Sequence, residues 1–281
     1  MINKKVVICT TIKNEEKNLK PFFRILDNII KNFGDYFLVF VESESNDRSS
    51  LIIQKYLNDR KGKLLNKKLD PNLNRIHKLE ICRNEYLKFV TNNKFLTNFN
   101  YLIVLDADGV NNNLSFKKIY NSILSKEDWN AIFANQNLFY YDIFALRIKN
   151  LITKNFLKQI SEDINLKLFK NYKYYIRKNL TKFFSLNNLF QNRFIEVNSA
   201  FGGFGIYKMD KIIEFKYNSN LGENCEHVSL NEDINLKYGR LYIDKKLTNC
   251  YGINKHTLNG YLSSISNFFA KRFLKKMKIL K

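Results

Sequence analysis

Two carboxylates one residue apart, Asp106 and Asp108, follow the apolar run YLIVL at 101–105 and lead into Gly109 and three asparagines. Alternate residues of an extended chain project to the same side, so the pair can face one spot. Two hard oxygen donors so close together suit Mg²⁺ or Mn²⁺, ions that keep their remaining positions for water and phosphate oxygens. An EF-hand calcium loop counted from Asp106 would put Asn111 where glycine is required and Lys117 where a bidentate glutamate is required, which excludes it. The plain alternative is a turn at Asp108-Gly109 with Asp106 as a cap. Position favours the metal, because the pair closes an apolar strand in the third β-unit of the chain. Asp142, after two tyrosines, can bind hydroxyls, act as a base or cap a turn.

A sheet edge has to hold such a pair, and the chain supplies one. VVICTTI (6–12) reads as a first strand, and 14–34 as a helix with Leu19, Phe22, Phe23, Leu26, Ile29 and Ile30 on one face and Gly34 as its stop. FLVFVES (37–43) is a second strand, followed by a helix that Asp47 or a nearby serine caps. IHKLEICRNEYLKFVTN predicts a short strand or loop leading into a helix, before the strand that ends at Asp106. The order β-α-β-α-(α)-β predicts an α/β fold, a mostly parallel sheet with helices on both faces. Ligands of such sheets sit beyond the carboxyl ends of the strands, where Thr11, Asn14, Glu42, Asp106 and Asp108 fall.

Composition narrows the class. The 281 residues, 45% of them hydrophobic, can bury a sizeable core. No apolar run is long enough to span a membrane, and the first residues lack the apolar centre of a signal peptide, so the expectation is a cytoplasmic protein. Four scattered cysteines, Cys9, Cys82, Cys225 and Cys250, argue for reduced buried thiols rather than disulfides or zinc. The net charge of +21 suits a polyanionic partner, but only ten of the 47 basic residues are arginine, and the Asn, Ile and Lys richness matches AT-rich coding. The excess is local. Residues 149–193 carry ten Lys or Arg against two acids, and 271–281 carry six against none.

Several segments in order resemble the GT-A glycosyltransferases, which transfer a sugar from a nucleotide diphosphate-sugar and use a D-x-D motif to hold the metal at the donor diphosphate. TTIKNEEKNL resembles the first-strand loop of that family, VESESNDRSS its acidic second-strand turn, and CRNEYL its Arg-Asn segment. The resemblance implies that Thr11, Glu42 and Asp47 flank the nucleoside and that Arg83 lies near the diphosphate. It covers roughly residues 5–250.

The second half extends the likeness. NSAFGGFGIYKMDKI places Gly202, Gly203 and Gly205 before a β-type run, where absent side chains allow close approach of backbone. The family pattern continues to an acidic pair that opens a helix about a dozen residues before a glycine. Glu226-His227 fits that distance to Gly239, whereas Glu232-Asp233 leaves fewer than two turns. The resemblance thus makes Glu226 the leading base, with His227 in place of the usual aspartate as a second base or a metal ligand. YYDIFALR, SAFGGFGIYK and CEHV further resemble capsule and surface-glycan glycosyltransferases.

The implied layout is a nucleotide-sugar-binding half (1–115), an acceptor-binding and catalytic half (116–255) with a basic helical insertion at about 150–195, and a basic amphipathic helix (256–281). That last helix aligns Leu262, Ile265, Phe269, Phe273, Met277 and Leu280, which suits either an anionic membrane surface or the core. The implied activity is metal-dependent transfer, with Mn²⁺ or Mg²⁺, to a glycan or lipid-linked acceptor, and no specific nucleic acid is involved. A nucleotidyltransferase, which usually shows a glycine-rich basic loop after its first strand, and a non-catalytic polyanion binder are the alternatives.

Overall fold

Strand β1 (Ile2–Ile12) turns Val6 and Ile8 to one face of the sheet and Val7 and Cys9 to the other, and all four are buried. A strand apolar on both faces needs a cover on each side. The computed structural model, which describes residues 2–125, 128–137, 140–153, 186–222 and 224–250, supplies both covers. Most of the expected basic insertion and all of the 256–281 helix lie outside these residues.

Helix α1 (Glu16–Ile30) packs Leu19, Phe22, Leu26 and Ile29 on one face of the sheet, and Phe23 stacks on Tyr56 of α2 (Ser49–Leu57) at 3.7 Å between ring centroids. Helix α3 (Arg75–Thr91) packs Cys82, Tyr86, Leu87 and Val90 on the other. Each fully buried apolar side chain of this kind contributes roughly 1.5–3 kcal/mol. The remaining elements are β2 (Phe33–Glu42), β3 (Gly62–Asn66), α4 (Lys94–Thr97), β4 (Tyr101–Leu105), α5 (Phe116–Ser125), β5 (Ala131–Gln136), α6 (Leu186–Leu189), β6 (Phe194–Glu196), β7 (Phe204–Lys208), α7 (Met209–Ile212), α8 (Glu226–Tyr238) and β8 (Leu241–Cys250).

Eight strands form one sheet in the order β3-β2-β1-β4-β7-β5-β8-β6. The pairs β1–β2, β1–β4, β2–β3 and β5–β8 are parallel; β7 runs antiparallel to both β4 and β5, and β6 antiparallel to β8. The expected α/β class and mostly parallel sheet with helices on both faces are present, and a single sheet spans both halves of the chain. Ile12 pairs with Glu42 and Cys9 with Val104, so the ends of β1, β2 and β4 lie level along one edge.

Two local expectations are corrected, and one strand was not expected. Gly34 does not stop α1: the apolar face runs out at Ile30, Asn32 already accepts from the Ile2 N–H at 2.9 Å, and Gly34 lies within β2. The segment after residue 74 is helical throughout, because Asn74 accepts from the His77 N–H at 2.9 Å and caps it. The strand that precedes it is β3, GKLLN, a short, half-exposed edge strand whose lysine hides its apolar pattern.

Candidate functional site

Beyond the ends of β1, β2 and β4 lies a cleft of about 490 Å³. Asp106 and Asp108 line it, held by a loop whose shape is fixed from below. The Asp106 N–H donates to the Gly203 carbonyl at 3.0 Å, and the buried Asn111 Nδ2 donates to the carbonyls of Asp106 and Gly203 at 2.8 and 2.9 Å. Asn249, at the end of β8, donates to Asn111 Oδ1 at 2.8 Å and to the Gly202 carbonyl at 2.7 Å, and accepts from Gln136 at 2.9 Å. These buried amides satisfy one another, as buried polar groups must, and tie the acidic loop to β5, β8 and the glycine turn.

The glycines serve this packing. Gly202 and Gly203 have φ of +64° and +82°, and a Cβ on Gly203 would lie 2.4 Å from Val110 Cγ1. The close approach is therefore to the acidic loop itself. The Gly202 N–H donates to Asp142 Oδ2 at 3.0 Å and the Ala145 N–H to Asp142 Oδ1 at 3.4 Å, so Asp142 anchors the turn. Burial, more than any neighbour, raises its carboxyl above the usual range.

Arg83 projects from α3 beneath the acidic pair. Its Nε donates to Glu226 Oε1 at 2.9 Å and its Nη2 to Asp106 Oδ1 at 3.3 Å. Asn84 clasps the Tyr217 backbone, donating to its carbonyl at 2.9 Å and accepting its N–H at 2.9 Å. Burial pushes Asp106 up to about 7, with Arg83 pulling it down and Asp108 and Asp142 pushing it further up.

Glu226 opens α8, which ends at Tyr238 before Gly239, while Glu232 and Asp233 lie exposed in mid-helix. Its Oε2 faces the Cys225 thiol at 3.8 Å, leaving that oxygen with acceptor capacity. His227 takes a different place. Its ring stacks on Phe201 at 3.8 Å and meets Tyr217 edge-on at 5.4 Å, and neither nitrogen has a hydrogen-bond partner. Burial, then the Arg83 charge, holds it well below the usual histidine range, so it is neutral at pH 7. Glu226 and His227 are both buried and both absent from the cleft wall, Glu226 reaching it only through Arg83, and among the described residues no three His, Cys, Asp or Glu side chains converge as a metal-holding group.

Of the residues expected at the nucleoside, Thr11 lines the cleft. Glu42 is buried and accepts from the Ser45 N–H at 2.6 Å, and Asp47 accepts from the N–H groups of Glu16 and Ser49 at 3.1 and 2.9 Å. These two shape the loop behind Ser43, which itself lines the cleft. Three basic residues of the cleft escaped sequence reasoning: Lys13, Arg75 and Lys78 line it together with the acidic pair, Lys78 Nζ donating to the Pro71 carbonyl at 2.7 Å. Arg75, Lys78, Leu79, Cys82 and Arg83 all line the cleft at helical spacing, a signal readable once the segment is taken as a helix.

Asp106 and Asp108 fit a divalent cation. They are two oxygen donors of a chemistry suited to Mn²⁺ or Mg²⁺, and the unfavourable ionisation of Asp106 among other acids is what a dication would relieve.

No family model matches the sequence, and no curated protein matches it. Solved structures do. A mannosyltransferase from Pyrobaculum calidifontis, in complex with GDP-Man and Mn²⁺, aligns with a TM-score of 0.52 at 11% identity, over 100% of this chain and 66% of that one. TarS 1-349 from S. aureus, in complex with UDP-GlcNAc, gives 0.52 at 12% identity over 90% and 60%. Glucosyl-3-phosphoglycerate synthase from Mycobacterium tuberculosis, in complex with Mn²⁺, UDP and glucosyl-3-phosphoglycerate, gives 0.50 at 9% identity over 93% and 80%. This chain thus spans under two-thirds of the mannosyltransferase and of the TarS fragment. With its sheet order, its helices on both faces and these alignments together, the chain has the GT-A glycosyltransferase fold.

Proposed function

We propose that this protein is a metal-dependent glycosyltransferase that moves a sugar from a nucleotide diphosphate-sugar to a glycan or lipid-linked acceptor. One observation carries the reading: Asp106 and Asp108 share a cleft with a wall of Lys13, Arg75 and Lys78. Carboxylates alone suit a cation and bases alone suit a polyanion; the two lining one cleft suit a metal diphosphate.

In this reading Asp106 and Asp108 would hold Mn²⁺ or Mg²⁺, which when bound would offset the charge of the departing diphosphate. Lys13, Arg75 and Lys78 bind the phosphates, and Thr11 and Ser43 line the cleft beside the nucleoside. The acceptor hydroxyl loses its proton to Glu226 Oε2 as its oxygen bonds to the anomeric carbon, and the bond from that carbon to the diphosphate breaks. The anchoring of both Asp142 oxygens supports Glu226 over Asp142 as the base, and the aromatic enclosure of His227 supports a packing role for it.

The test is a thermal-shift panel of UDP, GDP, CMP and ATP with and without Mn²⁺. Stabilisation by a nucleoside diphosphate only with metal, lost in Asp106→Asn and Asp108→Asn, is the expected result. Metal-dependent binding that survives both substitutions would sink the assignment, and a response to ATP alone would favour nucleotidyl transfer. Among the described residues no helix is long and apolar enough to cross a membrane. The basic amphipathic 256–281 sequence supports an acceptor at an anionic membrane surface, which liposome flotation at low and high salt checks.

A further inference from the structure

Arg83 is 4% exposed and has one guanidinium for two carboxylates, Asp106 at 3.3 Å and Glu226 at 2.9 Å. Its third nitrogen, Nη1, is buried with no partner. We propose that Arg83 is a positioning residue shared between the cation site and Glu226, and that this sharing makes binding of the divalent cation and of the donor diphosphate mutually dependent. The inference rests on the donor-site reading above.

The weaker of the two bonds is the one to Asp106, which is longer and whose side chain is more exposed, 24% against 5% for Glu226. A cation arriving at Asp106 competes with Nη2 for Oδ1. Were Nη2 released with nothing in the cleft, two buried donors would be unpaired, a costly state, so the cation alone binds weakly. A diphosphate oxygen supplies the missing acceptor, since Arg83 lines the cleft and a guanidinium fork matches phosphate geometry. Glu226 keeps Nε throughout, and the Phe201 ring, 5.0 Å from the guanidinium carbon, supports its plane. By linkage, if the diphosphate strengthens cation binding, the cation strengthens diphosphate binding by the same factor. Glu226 in this scheme acts on the cation only through Arg83, by drawing it away from Asp106.

The experiment measures the affinity of the full chain for Mn²⁺ alone, by electron paramagnetic resonance of the free ion, and then with UDP and with GDP. Arg83→Gln is expected to bind Mn²⁺ alone at least about tenfold more tightly and to lose the enhancement by nucleotide. Glu226→Gln, which leaves Arg83 wholly to Asp106, is expected to weaken Mn²⁺ binding. The double variant removes both buried charges together and is expected to match Arg83→Gln. A double variant that binds Mn²⁺ as the parent does, the plain sum of two opposite charges, would overturn the proposal. Arg83→Lys guards against misfolding: it keeps a charge beside Glu226 but cannot bond both carboxylates, so it also loses the nucleotide enhancement, and its retention there counts against the proposal. A parent that binds neither Mn²⁺ nor either nucleotide removes the donor-site reading and this inference with it. A parent whose nucleotide enhancement of Mn²⁺ binding persists unchanged in Arg83→Gln removes the inference alone and leaves the donor-site reading standing.

Discussion

Asp106 is ionised at a cost to the fold. Its carboxyl is raised to about 7, mainly by burial, so the folded chain holds this proton more tightly than the unfolded chain does. The stabilising contribution of that proton is complete below about pH 4 and is lost as pH rises through about 7, an effect of roughly 4 kcal/mol at most. Asp106→Asn should therefore raise the stability of the metal-free protein at pH 8 by about 1–4 kcal/mol, with the gap closing as pH falls toward 4. Urea titrations in chelator across that range check it; a gap that does not change with pH would show an unshifted carboxyl. At this scale the acidic pair was legible because its signal is local, two acids at the end of an apolar strand. The pairing of Arg83 with Glu226 was not, since residues 143 apart in sequence meet only in the fold. Nor was the burial of His227, whose neighbours Phe201 and Tyr217 come from other elements.

Elements show where sequence patterns succeed and where they mislead. The start of α8 at Glu226 and its end before Gly239 were readable from the resemblance, with spacing choosing between two acidic pairs. The α3 segment was half read: its cleft-facing stripe mixes Arg75 and Lys78 with Leu79 and Cys82, so the apolar period is broken on the side that lines the cleft rather than the core. The glycine turn before β7 was legible as a close approach, though its partner, the loop carrying Asp108 and Val110, was not. That contact yields a prediction. Gly203→Ala places a Cβ against Val110 Cγ1 in a backbone conformation with φ of +82°, so stability should fall by about 1–3 kcal/mol. Mn²⁺ binding should weaken with it, because the loop that moves carries the acids. Denaturant midpoints and Mn²⁺ titration together check this; a loss of stability without any loss of Mn²⁺ affinity would separate the turn from the site.

For the whole molecule the charge of +21 gave no location; the structure shows which cations line the cleft. Lys13→Glu or Lys78→Glu should weaken nucleoside diphosphate binding by about tenfold at low salt, and less as salt rises. Reversal of Lys94, which lies on α4 outside the cleft wall, should change little. Calorimetry at two ionic strengths checks this, and equal losses at all three positions would mean a diffuse field rather than a built wall. The β-type run after the glycines was legible, but not its place in the sheet, because a five-residue strand gives no hint of its partners. Strand β7 sits between β4 and β5, and this has a consequence for biosynthesis. Until the ribosome has delivered residue 208, β4 has an open edge and Asp106 lacks the Gly203 carbonyl that fixes its backbone. A nascent chain that stops short of Phe204 holds nearly every donor-side residue and still presents an unpaired strand to its neighbours, so the acidic pair gains its geometry late in translation.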